Sequence, residues 1–178
     1  PMEHRMPFPH SCRVFPRWFM EADAVPAGES RAADETTTRF VPWSESHFDA
    51  SAQLVASAYR GHVDSEINDQ YRSPGGAKRF LTNIIQYPGC GTFYAPASMA
   101  AIDVATGALA GISLASLVAP DAGHVTQLCV APQFRGRGIG RELLRRSRLA
   151  LAAGGRYTVS LTVTEQKDRK STRLNSSR

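Results

Sequence analysis

Cysteine is scarce in this chain of 178 residues, which has three. Cys12, Cys90 and Cys129 are odd in number, lie far apart and form no C-x-x-C pair. Such spacing indicates neither a disulfide framework nor a zinc site. We therefore expect no bound metal and a reducing compartment, the cytoplasm, as the default location.

Long apolar runs are also missing. The longest, residues 108–119, is interrupted by Gly111, Ser113 and Ser116. It falls well short of the ~20 apolar residues that a membrane-spanning helix needs. The first residues lack the charged-then-apolar pattern of a secretory signal. We therefore expect no membrane partner.

The excess of positive charge is concentrated in one place. The formal net charge is +5, but residues 167–178 hold five Lys/Arg and one Asp, and without them the balance falls to +1. Residues 168–177, D-R-K-S-T-R-L-N-S-S, match the translation of a common sequencing-library adapter, which predicts a non-native, disordered tail over 168–178. The alternative is a basic tail that contacts nucleic acid or membrane. Because the charge lies in this tail, we expect no nucleic-acid partner.

What the chain does have is a glycine- and arginine-rich segment at residues 130–144, V-A-P-Q-F-R-G-R-G-I-G-R-E-L-L. It predicts a strand end, a tight turn and a helix that begins within the turn. Glycines leave backbone N–H groups uncovered, and the helix N-terminus adds partial positive charge. Three arginines add fixed positive charge around the same place: Arg135, Arg137 and Arg141. A diphosphate is the ligand that such a turn favours.

The spacing of the glycines distinguishes between phosphate-binding motifs. No Lys-Ser or Lys-Thr follows them, which excludes a P-loop, and Arg141 stands where a dinucleotide motif counted from Gly136 needs its third glycine. The pattern R-x-x-G-x-G, from Arg135 to Gly140, does fit. It follows the strand and proline L-C-V-A-P at 128–132. Together these residues resemble the coenzyme A-binding signature of the GNAT family of N-acetyltransferases. The alternative is a loop that merely caps a helix.

The order of predicted elements over residues 38–166 also resembles this family: strand, two helices, three strands, helix, strand. The resemblance implies a mixed α/β (α+β) domain of GNAT-like fold at 37–167, incomplete because its last helix and strands are missing. We expect residues 1–36 to be a leader, or the remnant of an upstream domain plus a linker, with an edge strand at Arg13–Met20. The absent strands would leave Tyr157–Val163 with an unpaired edge. Gly61–Gly76 is predicted as a polar loop.

The resemblance implies acetyl-CoA as co-substrate, held by the strand edge and the turn. The expected cofactor-binding residues are Leu128, Cys129, Val130, Arg135, Gly136, Arg137, Gly138, Ile139, Gly140 and Arg141. Many family members have a glutamate base near the start of this strand, where this chain has His124. An imidazole titrates near neutrality and can accept a proton there. The alternative is that His124 only hydrogen-bonds the backbone at the strand start.

In the family, the loop between the first two helices helps to form the acceptor pocket. Carboxylates in this loop would attract an amine, and tyrosines would wall it. The candidates are Tyr59, Asp64, Glu66, Asp69 and Tyr71, and the alternative is a solvated polar loop. The resemblance thus implies an N-acetyltransferase that moves an acetyl group from acetyl-CoA to a primary amine of a small molecule or peptide, by direct attack in a ternary complex. The other hypothesis is a non-catalytic GNAT-like module that binds coenzyme A or a protein.

Overall fold

The computed structural model describes residues 15–24 and 35–164. In these residues seven strands form one mixed sheet. The strands are β1 (Arg17–Asp23), β2 (Thr38–Pro42), β3 (Thr92–Phe93), β4 (Met99–Asp103), β5 (Leu109–Ala119), β6 (Ala122–Val130) and β7 (Thr158–Thr164). The order across the sheet is β1-β7-β6-β5-β4-β2, and β3 pairs with β5. Neighbours are antiparallel except β6 and β7, which run parallel.

In the described part of the chain, four α-helices accompany the sheet: α1 (Phe48–Ala58), α2 (Asp64–Ile67), α3 (Pro74–Gln86) and α4 (Ile139–Ala153). Alternate residues of β5 face different helices. Ser113 Oγ lies 2.8 Å from Ser147 Oγ of α4, whereas Ile112 packs in the core cluster that includes Val55 of α1 and Leu81 of α3. The sheet is therefore covered on both faces. Within residues 15–24 and 35–164, no helix combines the length and apolar character needed to cross a bilayer.

The prediction of a loop over Gly61–Gly76 is wrong. This segment contains α2, a 3₁₀ turn at Asp69–Arg72 and the start of α3. Ser73 caps α3 by accepting a hydrogen bond from Gly76 N–H, and Pro74 occupies the first turn. Gly76 is required by close packing, because a Cβ there would lie 2.7 Å from the Gln70 carbonyl oxygen.

The outer edge of β7 is covered, which contradicts the prediction of an unpaired edge at Tyr157–Val163. The strand β1 pairs with β7 along its whole length, from Arg17 opposite Thr164 to Asp23 opposite Thr158. An uncovered β7 would expose a row of unpaired N–H and C=O groups, and β1 satisfies them. Residues 17–23, expected to lie in a leader or in the remnant of an upstream domain, thus join the same sheet as residues 38–164. The predicted edge strand Arg13–Met20 overlaps β1 at residues 17–20.

A β-bulge in β6 changes which side chains share a face. Gln127 lies opposite Leu114, but the next residue of β5, Ala115, lies opposite Val125. Thr126 is the extra residue, and its hydroxyl donates to the Leu114 carbonyl at 3.1 Å. Such a bulge shifts the alternation of side chains by one position.

Candidate functional site

A cleft opens where β6 and β7 separate. Their parallel pairing runs from Ala122 opposite Thr158 to Val125 opposite Leu161 and then stops. Both strands continue, β6 to Val130 and β7 to Thr164. A cavity of about 630 Å³ lies between the diverging strands and the end of α1. The separation therefore provides an open strand edge beside a cleft that is open to solvent.

The backbone of β6 presents alternate residues to this cleft. Ala131 N–H donates to the Ala110 carbonyl on the β5 side. In an antiparallel pair, residues alternate between facing the partner strand and facing away from it. The backbone groups of Cys129 therefore face β5, and those of Leu128 and Val130 face the cleft. Of the three predicted edge residues, these two carry the N–H groups available for a ligand.

The glycine-rich turn has the backbone that the motif predicts. Gly136 and Gly138 both have φ of +79°, a conformation that residues with a Cβ rarely adopt. Gly138 is the N-cap of α4, so the N–H groups of Ile139, Gly140 and Arg141 have no partner within the helix. A Cβ on Gly136 would meet no atom within 4 Å. The turn is thus open on its outer side, where an anion can approach the backbone.

The prediction that all three arginines surround the turn is wrong for one of them. Arg135 turns back toward the cleft, and its guanidinium donates to the carbonyl oxygens of Ala58 at 2.8 Å and Val130 at 3.3 Å. Arg137 stacks over the Phe134 ring, 5.2 Å from its centroid. Arg141, in the first turn of α4, is exposed. The charge nearest the helix N-terminus therefore comes from the backbone and from Arg137 and Arg141.

His124 lies on the cleft side of β6, next to β7. Its Nδ1 lies 2.9 Å from Ser160 Oγ, on the neighbouring strand. Burial lowers the pKa of the imidazole below its usual 6.5, because desolvation disfavours the charged form. The ring is therefore neutral at pH 7 and able to accept a proton.

The bulge aligns His124 with two further polar or nucleophilic side chains. His124, Gln127 and Cys129 lie opposite Ser116, Leu114 and Ile112 of β5. Because these β5 residues alternate along their strand, their partners share one face of β6. Gln127 Nε2 donates to the Tyr59 hydroxyl at 3.1 Å. This residue was not among the predicted site residues, since the bulge that places it beside His124 leaves no mark in a simple alternating pattern.

An aromatic wall closes the side of the cleft that faces α1 and α3. The rings of Tyr59 and Tyr71 stack with centroids 4.3 Å apart, and Phe80 meets Tyr71 edge-on at 5.0 Å. Burial is the main cause that raises the pKa of both tyrosines well above 10. Both hydroxyls therefore stay protonated at neutral pH.

The three predicted acidic residues separate. Asp64 lines the cleft with His62 and Asn68, and its N–H donates to His62 Nδ1 at 3.2 Å. Glu66 and Asp69 are exposed and lie outside the cleft lining. The structure thus gathers Tyr59, Asp64 and Tyr71 at the cleft but leaves the other two at the surface.

Cys129 is not activated. Its side chain is buried, and burial raises the pKa of the thiol to about 12. Gln127 and Arg135 act in the opposite direction but are weaker. At neutral pH the group is a thiol, which is a poor nucleophile.

Comparison with known families gives one match over most of the chain. The model of the acetyltransferase (GNAT) family matches residues 36–174. A comparison with curated protein sequences gives no match.

Solved structures with this fold are distant in sequence. A GCN5-related N-acetyltransferase from Sphaerobacter thermophilus has 18% identity and a TM-score of 0.66, covering 88% of this chain and 44% of that one. A tandem GNAT protein from the clavulanic acid biosynthesis pathway has 19% identity and a TM-score of 0.53, covering 89% and 48%. The ribosomal-protein-S18-alanine N-acetyltransferase of Escherichia coli has 17% identity and a TM-score of 0.50, covering 70% and 65%. The chain thus spans less than half the length of the first two proteins, and the likeness concerns the fold.

Proposed function

The chain belongs to the GNAT acetyltransferase family, and from this premise we propose that it transfers the acetyl group of acetyl-CoA to a primary amine. The transfer takes place by direct attack while both substrates are bound. The amine nitrogen bonds to the thioester carbon, the carbon–sulfur bond breaks, and the released coenzyme A thiolate takes a proton from solvent. The observation that carries the proposal is the cleft between β6 and β7, with its open strand edge leading to the glycine turn.

The residues at this place fit acetyl-CoA. When bound, acetyl-CoA supplies the activated acetyl group. Leu128 and Val130 offer backbone groups to the amides of its pantetheine arm, as an added strand would use them. The N–H groups of Gly136 to Arg141 and the α4 N-terminus suit its diphosphate. Backbone N–H groups of the β6 edge also suit the negative charge that develops on the acetyl oxygen during transfer.

His124 is the proposed base. The Ser160 hydroxyl lies within 3.4 Å of the Gly123 carbonyl as well as beside His124 Nδ1. If the hydroxyl donates to that carbonyl, Nδ1–H donates to Ser160 Oγ, and Nε2 keeps its lone pair. Nε2 then takes the proton that the amine loses, directly or through a water.

The acceptor amine binds on the side of the cleft that the aromatic wall forms. Tyr59 and Tyr71 provide flat apolar surface, and Asp64 is the one acidic side chain among the described residues that line the cleft. A carboxylate beside aromatic rings favours an ammonium group on an acceptor with an apolar body. Glu66 and Asp69, at the surface, are proposed to act only through long-range attraction.

Calorimetry with acetyl-CoA followed by turnover assays tests the proposal. We expect acetyl-CoA to bind and at least one primary amine, from a panel of small amines and peptides with free N-termini, to be acetylated. Binding without transfer to any of them would support the non-catalytic hypothesis instead. Failure to bind either acetyl-CoA or coenzyme A would contradict the transferase proposal and leave, of the non-catalytic hypothesis, only a module that binds a protein.

A further inference from the structure

Arg135 connects the cofactor turn to the end of α1. Its Nη2 donates to the Ala58 carbonyl at 2.8 Å, across 77 residues of chain, and its Nε donates to the Val130 carbonyl at 3.3 Å. Ala58 is the last residue of α1, where carbonyl groups lack partners within the helix. The guanidinium therefore caps a helix C-terminus, a place that favours positive charge.

A second hydrogen bond holds Tyr59, the residue that follows Ala58 at the end of α1. Gln127 Nε2 donates to the Tyr59 hydroxyl at 3.1 Å, and the Tyr59 ring stacks on Tyr71. The end of α1 is thus attached at two points, once to the turn through Arg135 and once to β6 through Gln127. Because Tyr59 forms the acceptor wall, both attachments bear on the acceptor side of the cleft.

We propose that Arg135 is a positioning residue that couples coenzyme A binding at the turn to ordering of the acceptor wall. The inference rests on the proposed function, since it takes the turn to be the coenzyme A site. Arg135 is the first residue of the R-x-x-G-x-G motif, so a ligand that fixes the turn also fixes the direction from which its side chain departs. The end of α1 then loses less freedom when an acceptor binds. By reciprocity, a bound acceptor tightens binding of the cofactor.

Arg137 provides the matched comparison. It lies two residues away in the same turn, but its guanidinium donates to the Gln133 carbonyl at 3.4 Å and stacks on Phe134, both within its own segment. It contributes charge to the turn without reaching α1. Removing it should weaken cofactor binding without breaking the coupling.

Hydrogen–deuterium exchange with and without coenzyme A tests the coupling without any acceptor. In the unaltered chain we expect saturating coenzyme A to slow exchange at residues 135–141 and also at residues 56–62. In Arg135→Met, coenzyme A at saturation should protect the turn but leave residues 56–62 unchanged. In Arg137→Met, the affinity should fall, and at saturation both segments should still be protected.

Two further variants keep the test decisive if Arg135→Met does not fold. Arg135→Lys keeps the charge but loses the two-pronged donor, and Tyr59→Phe removes only the acceptor of the Gln127 bond. Arg135→Lys should reduce the protection of residues 56–62 while the turn remains protected. Tyr59→Phe keeps the contact between Arg135 and Ala58, so coenzyme A should still protect both segments in that variant. Full protection of residues 56–62 in the folded Arg135 variants overturns the coupling. So does the absence of any protection of these residues in the unaltered chain with coenzyme A bound. Absence of coenzyme A binding in the unaltered chain overturns the proposed function as well.

Discussion

His124 and Ser160 face each other across β6 and β7, one residue before the pairing of the two strands ends. The 2.9 Å contact between Nδ1 and Oγ fixes the imidazole at the mouth of the cleft. A group held there is near the strand edge and is only partly shielded from water. Its neutral state and its fixed ring are the two properties that a base requires.

Replacing His124 with alanine should lower kcat by about 100-fold or more, the usual contribution of a general base. In the unaltered chain, the proposed activity predicts that kcat/KM rises with pH through an apparent pKa below 6.5, since burial lowers the pKa of this imidazole. His124→Ala should lose that rise. Steady-state kinetics at a series of pH values checks this, and an unaltered profile in the variant would exclude His124 as the base.

Ser160→Ala is the companion variant, because it removes the partner of Nδ1 and leaves the imidazole in place. We expect a smaller loss of kcat, with the rise with pH retained but displaced. If Ser160→Ala and His124→Ala had equal effects, orientation of the ring would account for the whole contribution.

The sequence was informative where local patterns determine structure. The helix predicted to begin within the glycine-rich turn is found as α4, which begins at Ile139 and ends before Gly154, a local stop signal. The start of α3 could have been predicted too, since Ser73-Pro74 is an N-cap followed by proline. Gly75 and Gly76 are poor helix formers, so they made the start of α3 hard to predict. Gly76 is needed there because its backbone lies close to Gln70 of the preceding 3₁₀ turn.

Long-range contacts could not be predicted in this way. Nothing near Arg135 in the sequence indicates that its guanidinium binds the carbonyl of Ala58. An arginine within a phosphate-binding motif favours the simpler interpretation that its side chain binds phosphate. The pairing of β1 with β7 joins segments separated by more than a hundred residues. The position of His124 was predicted through family resemblance, but Ser160 depends on the register of two strands.

The glycines of the turn should differ in their tolerance to alanine. At Gly138 the φ of +79° makes alanine unfavourable by about 1–2 kcal/mol, so the turn should relax and the KM for acetyl-CoA should rise about tenfold. At Gly140 a Cβ would lie 3.5 Å from Val130 Cγ2, an ordinary contact. Gly140→Ala should therefore bind acetyl-CoA normally and gain about 0.5–1 kcal/mol of stability as a helix residue. Calorimetry and thermal unfolding of both variants check this, and equal affinities would contradict it.

Cys129 should prove dispensable for chemistry. Because the thiol stays protonated, Cys129→Ala should retain kcat within about tenfold, against the ~10⁶-fold loss typical of a missing nucleophile. Mass spectrometry after incubation with acetyl-CoA should show no acetyl group on Cys129. Iodoacetamide should modify the exposed Cys90 while sparing the buried Cys129. An acetylated Cys129 would mean that transfer passes through the enzyme and not directly to the amine.

Glu142 should be a main electrostatic contributor to stability. Its carboxylate, 3% exposed, accepts two hydrogen bonds from Arg145, at 2.7 and 2.6 Å, and one from Arg146 at 2.7 Å. Arg146 also pairs with Glu35 and stacks over Phe40, so the network joins α4 to the segment before β2. Glu142→Gln leaves two arginines without their shared anion, and we expect the free energy of unfolding to fall by about 2–3 kcal/mol at pH 7.

The same network predicts how this contribution depends on pH. The hydrogen bonds from Arg145, and then from Arg146, hold the pKa of the Glu142 carboxyl below 4.5. A carboxyl with a lowered pKa in the folded state stabilises the protein above its unfolded pKa, and the effect disappears as the pH falls through the lowered value. The difference between the unaltered chain and Glu142→Gln in urea unfolding should therefore shrink below pH 4.5. Glu45→Gln, at an exposed position, is the control and should stay within about 0.5 kcal/mol at either pH. A constant difference for Glu142→Gln at both pH values would show that packing, and not charge, accounts for its effect.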